Sequence, residues 1–273
     1  MISSKNLSYS YNKNDFLFKD LNFNQKAGSI IGLLGKNGAG KSTLLKIISG
    51  LLPSKNGTIE VNGFIPNKRD PNFLTDIFLV NDTPYFPSIT IKSYLKVYGA
   101  LYVKFDVEKM HQLLKDFDID INQNLKKISH GQQKKFIIAF ALSTNCKILL
   151  LDEPTNGLDI PSKKIFRKVL VDAVGENQLV IISTHQVKDV ETIIDKIVHI
   201  DNGKIVFEKE TFKITEKFQF KSVHAITDLE DVKYAEKCPI GYKVIVPVKN
   251  NEETEIDIEL LFNAISNNAE INL

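Results

Sequence analysis

Residues 32–45 read GLLGKNGAGKSTLL, and this stretch decides the fold. From Gly35 to Ser42 it fits the phosphate-binding pattern G-x-x-x-x-G-K-[ST] at every fixed position. Glycine weakens both helices and strands, so a cluster of glycines indicates a backbone that must turn where a Cβ would obstruct it. In such a loop, backbone N–H groups surround phosphate oxygens, Lys41 reaches the β- and γ-phosphates, and the Ser42 hydroxyl binds Mg²⁺.

The residues on either side of the loop have the pattern that a phosphate site requires. Residues 28–34 form a short apolar run typical of a buried strand. After the loop, apolar residues recur at helical spacing: Leu44, Leu45, Ile47 and Ile48. Strand, loop and helix in this order place the positive end of the helix dipole at the anion site. The alternative is an ordinary glycine turn, which would not require a strand before it and a helix after it.

The bulk composition is that of an ordinary globular protein. The chain has 273 residues, of which 43% are hydrophobic and 25% charged, and its net charge is +2. This charge is too small to indicate nucleic acid binding, and the two cysteines have no metal-binding or redox spacing, so we expect a reduced cytosolic protein. Apolar runs such as 136–142 are too short to span a membrane, and we expect another chain to supply any membrane part.

The chain changes character along its length. Up to about Val80 it reads as short strands, and residues 82–147 read as mostly helical. A helix is predicted to begin at an Asp106 cap. Strands then return and alternate with helices, which favours a parallel sheet with helices packed on it. Residues 211–273 read as a small α+β extension, because they have apolar residues to bury.

A second chemical signal is an apolar strand that ends in two carboxylates, Asp152 and Glu153. Ligands of parallel sheets bind beyond the carboxyl ends of the strands, so this position suits a phosphate site. Asp152 can hold Mg²⁺ through water, and Glu153 is then placed to polarise the water that attacks a γ-phosphate. Without the phosphate loop, the same residues would be read as a solvated turn.

Three further segments carry a family resemblance. They are Asp-Glu-Pro-Thr-Asn-Gly-Leu-Asp at 152–159, Ser-x-Gly-Gln at 129–132 and Ser-Thr-His at 183–185. With the phosphate loop, and in this order, they resemble an ATP-binding cassette (ABC) ATPase. The resemblance covers roughly residues 2–210, about three quarters of the chain.

The resemblance implies the fold and its division into domains. The fold would be α/β, a P-loop ATPase core with a mainly parallel sheet, an antiparallel β-subdomain, an inserted helical subdomain and a small C-terminal α+β extension. The nucleotide-binding domain would be residues 1–210, with its helical subdomain at about 82–147, and the extension would be 211–273.

The resemblance also implies a role for each matching residue. The residues that contact ATP would be Tyr11, Gly35, Lys36, Asn37, Gly38, Ala39, Gly40, Lys41, Ser42, Thr43, Ser129, Gly131, Gln132 and Asp159. The residues at Mg²⁺ would be Ser42, Asn81 and Asp152. The catalytic residues would be Glu153, His185 and Lys41.

Some of these roles depend on a second subunit. Tyr11 would stack on adenine, although it could also be an ordinary strand aromatic. A helix from about Gly131 to Leu142 would aim its N-terminus and the Ser129 hydroxyl at a γ-phosphate held by another subunit. Asp159 would lie in the segment that crosses the dimer interface.

Two positions depart from the family pattern. Asn81 stands where the family usually has Gln, and its side chain is shorter by one methylene, about 1.5 Å. The segment 129–132 resembles the family's signature loop, which usually has Gly at the position of His130. The His130 side chain would either crowd the partner's nucleotide or point outward. Both departures would affect the rate of ATP hydrolysis more than the binding of ATP.

The resemblance implies a motor that needs two copies. Two nucleotide-binding subunits, as a homo- or heterodimer, would clamp two ATP molecules with Mg²⁺ and separate after hydrolysis. The motion would pass through the region near 81–87 to separate integral membrane permease subunits, with the ATPase in the cytoplasm on the inner face of the membrane. Residues 256–265 resemble the end of bacterial exporter-type subunits and favour export over import. No nucleic acid is expected.

Two other functions stay open at this stage. One is a soluble ABC ATPase that acts on ribosomes or DNA, although the chain has one cassette and no sustained heptads. The other is a non-hydrolysing half of a heterodimer, in which His130 and Asn81 mark a degenerate site.

Overall fold

The computed structural model describes residues 1–12, 15–227, 229, 231–248, 254–267, 269 and 271. Its strands are β1 (Ile2–Tyr9), β2 (Phe18–Gln25), β3 (Ser29–Leu34), β4 (Asn56–Val61), β5 (Ile77–Val80), β6 (Ile148–Asp152), β7 (Leu179–Thr184), β8 (Lys196–Asp201), β9 (Lys204–Glu210), β10 (Phe218–Val223), β11 (Tyr234–Cys238) and β12 (Gly241–Pro247). Its helices are α1 (Lys41–Ile48), α2 (Pro71–Leu74), α3 (Ile91–Tyr98), α4 (Val107–Asp116), α5 (His130–Ser143), α6 (Ile160–Ala173), α7 (Thr211–Thr215) and α8 (Ile258–Ser266). None of the helices within these ranges has the length and apolar character that crossing a bilayer requires.

The central sheet has the strand order β5-β6-β7-β3-β8-β9. The first five strands are parallel, and β9 pairs with β8 in the antiparallel direction. Strands β6 and β7 are buried along their whole length, as expected for parallel strands covered on both faces. The order of the strands brings the carboxyl ends of β3, β5, β6 and β7 to one edge, where ligands of such sheets bind. The predicted mainly parallel α/β core is confirmed.

A second sheet, with the antiparallel order β2-β1-β4, packs against one side of α1. Apolar residues of β1 and β2, such as Leu7 and Phe23, share a core cluster with Leu44 and Leu45 of α1. This packing fixes the helix that follows the glycine loop, and it confirms the antiparallel part of the predicted fold.

A helical segment, α3 to α5, connects β5 to β6. Asp106 caps α4 as predicted, since its carboxylate accepts a hydrogen bond from the Lys109 N–H at 2.9 Å. Helix α5 begins one residue earlier than predicted. Its N-cap is Ser129, which forms a capping box with Gln132. The rings of Phe136 and Phe140 on α5 lie in an aromatic cluster with neighbours from α3 and β5, so α5 is anchored to the sheet.

The residues after β9 form a third sheet, β10-β12-β11, and α8. The α+β character predicted for this part of the chain is therefore confirmed. Helix α8 packs back on the central sheet, where the Phe262 and His199 rings lie 4.6 Å apart. The Lys188 amine also lies 2.6 Å from the Glu259 carboxylate. The division of the chain into domains at about residue 210 stays a prediction.

We predict that Phe140→Ala destabilises the protein by about 3–5 kcal/mol, because it leaves a cavity in the aromatic cluster. Phe140 is 1% exposed. Phe212→Ala is the matched control, because Phe212 is 54% exposed. Thermal unfolding followed by circular dichroism should show a clear loss of Tm for Phe140→Ala and little change for the control. Equal shifts would contradict this account of the core.

Candidate functional site

The glycine loop connects β3 to α1 and leaves the N-terminus of α1 open. Gly40 has φ 104°, and a Cβ there would stand 2.6 Å from the Phe18 ring, so only glycine fits. In the described contacts, α1 has no side-chain cap and no acidic residue in its first turn. Its first N–H groups are therefore available to an anion, which is the property that a phosphate site needs.

Lys41 is the cation of the loop. Its side chain is nearly buried, and the amine donates to the carbonyl oxygens of Gly35 at 2.7 Å and Lys36 at 3.3 Å. Burial lowers the pKa of Lys41, while the negative charges of Glu153 and Asp152 oppose that shift. A phosphate at the loop would supply further negative charge to this amine and favour its protonated form.

Asp152 lies at the end of β6 and joins two hydroxyl groups. Its Oδ1 accepts a hydrogen bond from Ser42 Oγ at 3.0 Å and another from Ser183 Oγ. The carboxylate is buried at 5% exposure. A hydroxyl and a carboxylate are hard oxygen donors of the kind that suits Mg²⁺, which takes its other ligands from water and phosphates. Ser42 and Asp152 therefore fit the predicted ion.

Glu153 and His185 meet at the neighbouring strand ends. Glu153 has the left-handed φ of 46°, and its Oε1 lies 2.8 Å from His185 Nδ1. Its Oε2 accepts hydrogen bonds from Thr184 Oγ1 at 3.1 Å and from the His185 N–H at 3.4 Å. Thr184 at the end of β7 and His185, which follows it, therefore fix the position of the Glu153 carboxylate.

A cavity of about 640 Å³ brings most of the predicted residues together. Its predicted lining residues are Tyr11, Asn37, Gly38, Gly40, Lys41, Ser42, Thr43, Glu153 and His185. Lys36 and Ala39 line an adjoining cavity that also contacts Tyr11. Gly35 lies beneath the loop, where a Cβ would stand 2.4 Å from the Ile200 carbonyl oxygen.

Tyr11 lies at the mouth of this cavity. Its hydroxyl is 2.7 Å from Thr43 Oγ1, while 64% of the residue is exposed. The hydrogen bond fixes the ring beside the phosphate loop and leaves much of its surface free. Its stacking on adenine stays a prediction.

Four further predicted residues, Ser129, Gly131, Gln132 and Asp159, also lie outside this cavity. Ser129 and Asp159 are N-caps of α5 and α6, and Gln132 completes the cap of α5. Gly131 lies against the loop after β6, since a Cβ there would stand 3.2 Å from the Gly157 carbonyl oxygen. Contact of these residues with a nucleotide held by a second subunit stays a prediction.

The loop after β5 differs from the expectation in detail. Asp82 lines the cavity, whereas Asn81 is exposed and is not among the lining residues. Asp82 Oδ1 accepts a hydrogen bond from Asn156 Nδ2 at 3.2 Å, and Asn156 also lines the cavity. Neither residue is predicted from the sequence, although Asp82 follows Asn81 and Asn156 lies within the segment 152–159. The role of Asn81 at Mg²⁺ stays a prediction.

The sequence comparisons agree with this geometry. The family profile described as ABC transporter matches residues 18–156. The chain is similar to the ABC transporter ATP-binding protein YtrB of Bacillus subtilis (strain 168), with 26% identity over 100% of this chain and 95% of that protein. It is also similar to the molybdate import ATP-binding protein MolC of Haemophilus influenzae, with 32% identity over 79% of this chain and 82% of MolC. The SkfA peptide export protein SkfE of Bacillus subtilis is 32% identical over 76% of this chain and 87% of SkfE.

Solved structures share the fold. An ATP-binding subunit of an ABC transporter superposes with a TM-score of 0.71 at 23% identity, over 78% of this chain and 91% of that one. A dimeric ATP-binding cassette in a post-hydrolysis state, bound to ADP and Pi, superposes with a TM-score of 0.67 at 24% identity. That match covers 77% of this chain and 98% of the other.

We predict that Tyr11→Ala weakens ATP binding about tenfold, because it removes a stacking surface for the base. Tyr11→Phe should bind ATP almost normally, since the ring is retained and only the bond to Thr43 is lost. Tyr85→Ala, at an 86% exposed tyrosine outside the cavity, is the control. Isothermal titration with ATP and with inorganic tripolyphosphate checks this. Equal weakening for both ligands would show that Tyr11 only shapes the loop.

Proposed function

The chain belongs to the ABC transporter family of ATP-binding ATPases, and from this we propose that it hydrolyses ATP to drive transport by a separate membrane permease. The observation that carries the proposal is the convergence of Lys41, Ser42, Glu153 and His185 on one cavity. Each performs a task that phosphoryl transfer needs, namely charge neutralisation, metal binding, orientation of water and contact with the leaving phosphate.

The proposed chemistry follows from the positions of the side chains. Mg²⁺, when bound, would offset the negative charge of the phosphates. Ser42 and Asp152, which are joined by a hydrogen bond, would hold the ion. The α1 N–H groups and Lys41 would bind the phosphates. Glu153 would accept a hydrogen bond from the attacking water, and His185 would keep that carboxylate in place until a γ-phosphate competes for the imidazole.

A second nucleotide-binding subunit is part of the proposal. Ser129, Gly131 and Gln132 lie outside the cavity that contains Lys41, so we propose that they close the cavity of another copy. Ser129 and His130, at the start of α5, are exposed, and a γ-phosphate there would meet the positive end of the helix. His130 is exposed, and its Nδ1 lies beside Gly157, 3.4 Å from the position of a Cβ added to that glycine. The His130 side chain therefore does not block this helix turn within its own chain.

The permease and the direction of transport form the finer part of the proposal. We propose contact with the permease through the region near 81–87, where the chain enters the helical segment, and a position on the inner face of the cell membrane. Tyr85 in this region is 86% exposed, as a docking residue would be. We propose export, on the likeness of the terminal helix to exporter subunits. Among the relatives, MolC is named for import and SkfE for export.

We predict that Glu153→Gln lowers the rate of ATP hydrolysis at least about a hundredfold, because the amide cannot act as a general base. ATP-dependent dimerisation should persist or strengthen, since the phosphate loop and the signature residues are unchanged. Steady-state phosphate release and light scattering with and without ATP measure the two effects. Glu60→Gln, on the exposed part of β4, is the matched control.

Undiminished hydrolysis in Glu153→Gln, with dimerisation also unaltered, would count against the assignment. Wild-type protein that binds ATP and never turns it over, even when concentrated, would instead identify a non-hydrolysing half of a heterodimer. Co-purification with ribosomes and no membrane protein would favour a soluble ABC ATPase.

A further inference from the structure

The side chain of Lys134 on α5 is completely buried, which is unusual for a lysine. Its amine donates to the carbonyl oxygens of Asp82 at 2.5 Å and Asn81 at 3.4 Å. It also lies 3.5 Å from the Asp82 carboxylate. In the described part of the chain, all hydrogen-bond and ion-pair partners of this amine belong to these two residues. A buried ammonium is stable only where such contacts replace water.

Asp82 connects this amine to the ATP cavity. Its carboxylate is half-exposed and lines the same cavity as Lys41 and Glu153. It also accepts the hydrogen bond from Asn156, which follows Glu153 by three residues. The Asp82 carboxylate therefore contacts both Lys134 on α5 and Asn156 in the loop after β6.

The charges explain why such a bridge is needed. A carboxylate at the wall of a cavity that receives a triphosphate is repelled unless a cation stands behind it. Burial lowers the pKa of Lys134, while the charge of Asp82 and its hydrogen bond oppose this shift, so the pair favours the ammonium form. Lys134 thus offsets the charge of Asp82 and fixes its backbone at the same time.

We propose that Lys134 is a positioning residue that holds Asp82 at the wall of the ATP cavity and couples it to the position of α5. This inference rests on the proposed function, because the N-terminus of α5 is the part assigned to the partner's nucleotide. Lys134 lies less than two turns from Ser129 on one rigid, buried helix. When α5 moves onto the partner's ATP, the Lys134 amine moves the residue pair 81–82 with it. Engagement of one ATP then sets the geometry around the other.

Lys134→Met, which removes the charge and keeps much of the volume, is the main test. We expect kcat for ATP hydrolysis to fall about tenfold or more, because a displaced wall residue disturbs the reacting geometry, and KM to change less than about twofold. Lys109→Met is the matched control. Lys109 is a partly buried lysine of the same helical segment, but its amine binds the Asn145 side chain and does not contact the cavity. The control should hydrolyse ATP at the wild-type rate.

Three further variants separate positioning from simple support of the helix. Lys134→Arg should retain most of kcat, since it keeps the charge and donors. Asp82→Asn should lower kcat without lowering Tm. The double variant Lys134→Met with Asp82→Asn should be no slower than Lys134→Met alone, because Lys134→Met already removes the ion pair that Asp82→Asn breaks. Additive losses would overturn the proposal.

A measurement independent of hydrolysis completes the test. In the Glu153→Gln background, Lys134→Met should still bind ATP and form the ATP-dependent dimer at the usual ATP concentration. A joint loss of dimerisation and Tm would show that Lys134 only supports α5, and would overturn the inference. If Lys134→Met does not fold, Asp82→Asn decides alone, and a wild-type kcat there would refute the proposal.

The two levels of proposal fail differently. If the wild-type protein does not hydrolyse ATP, the proposed function itself is wrong. If the wild type hydrolyses ATP and Lys134→Met matches Lys109→Met in kcat, only the positioning role is wrong.

Discussion

Binding a triphosphate with backbone N–H groups at a helix N-terminus is the constraint on which the rest of this structure depends. The N–H groups can face an anion only if the chain turns tightly between β3 and α1, and the turn is packed against its surroundings on both sides. A Cβ on Gly35 would meet the Ile200 carbonyl of β8, and one on Gly40 would meet the Phe18 ring of β2. The loop is therefore held by both the parallel and the antiparallel sheet, and the fold around it serves to fix this backbone.

The strand order converts this anion site into a reaction site. Strand β7 lies between β3 and β6, so the residues at its end touch the residues that follow β6. Ser183 binds Asp152, and Thr184 and His185 bind Glu153, which gives each carboxylate a fixed position. Lys41 faces both carboxylates across the loop, and their charges offset the effect of its burial on its pKa. The site is thus a balanced group of charges whose geometry is set by three neighbouring strands.

The same geometry underlies the proposal that a second subunit completes the site. Helix α5 is the last helix of the helical segment and precedes β6. Its N-terminal turn lies beside Gly157 and outside the cavity that Lys41 lines. Ser129 caps α5 in a complete capping box and lies outside the cavity. Lys134 gives this helix a polar contact with the cavity through Asp82. In the proposed dimer, this contact would connect the two nucleotide sites.

The sequence alone determined those parts of the protein that depend on residues close together in the chain. The glycine loop, the carboxylates at the end of β6, the Asp106 cap and the signature helix were all predicted within a residue or two, because each depends on local backbone geometry and on nearby side chains. The tertiary structure decided which side chains meet across the sheet. The role of Asn81 at the metal stays a prediction, while the structure adds Asp82 to the cavity wall, which the local sequence does not indicate. The contacts of Lys134 and Ser183 likewise join residues about 30 to 50 positions apart, and only the order of the strands brings them together.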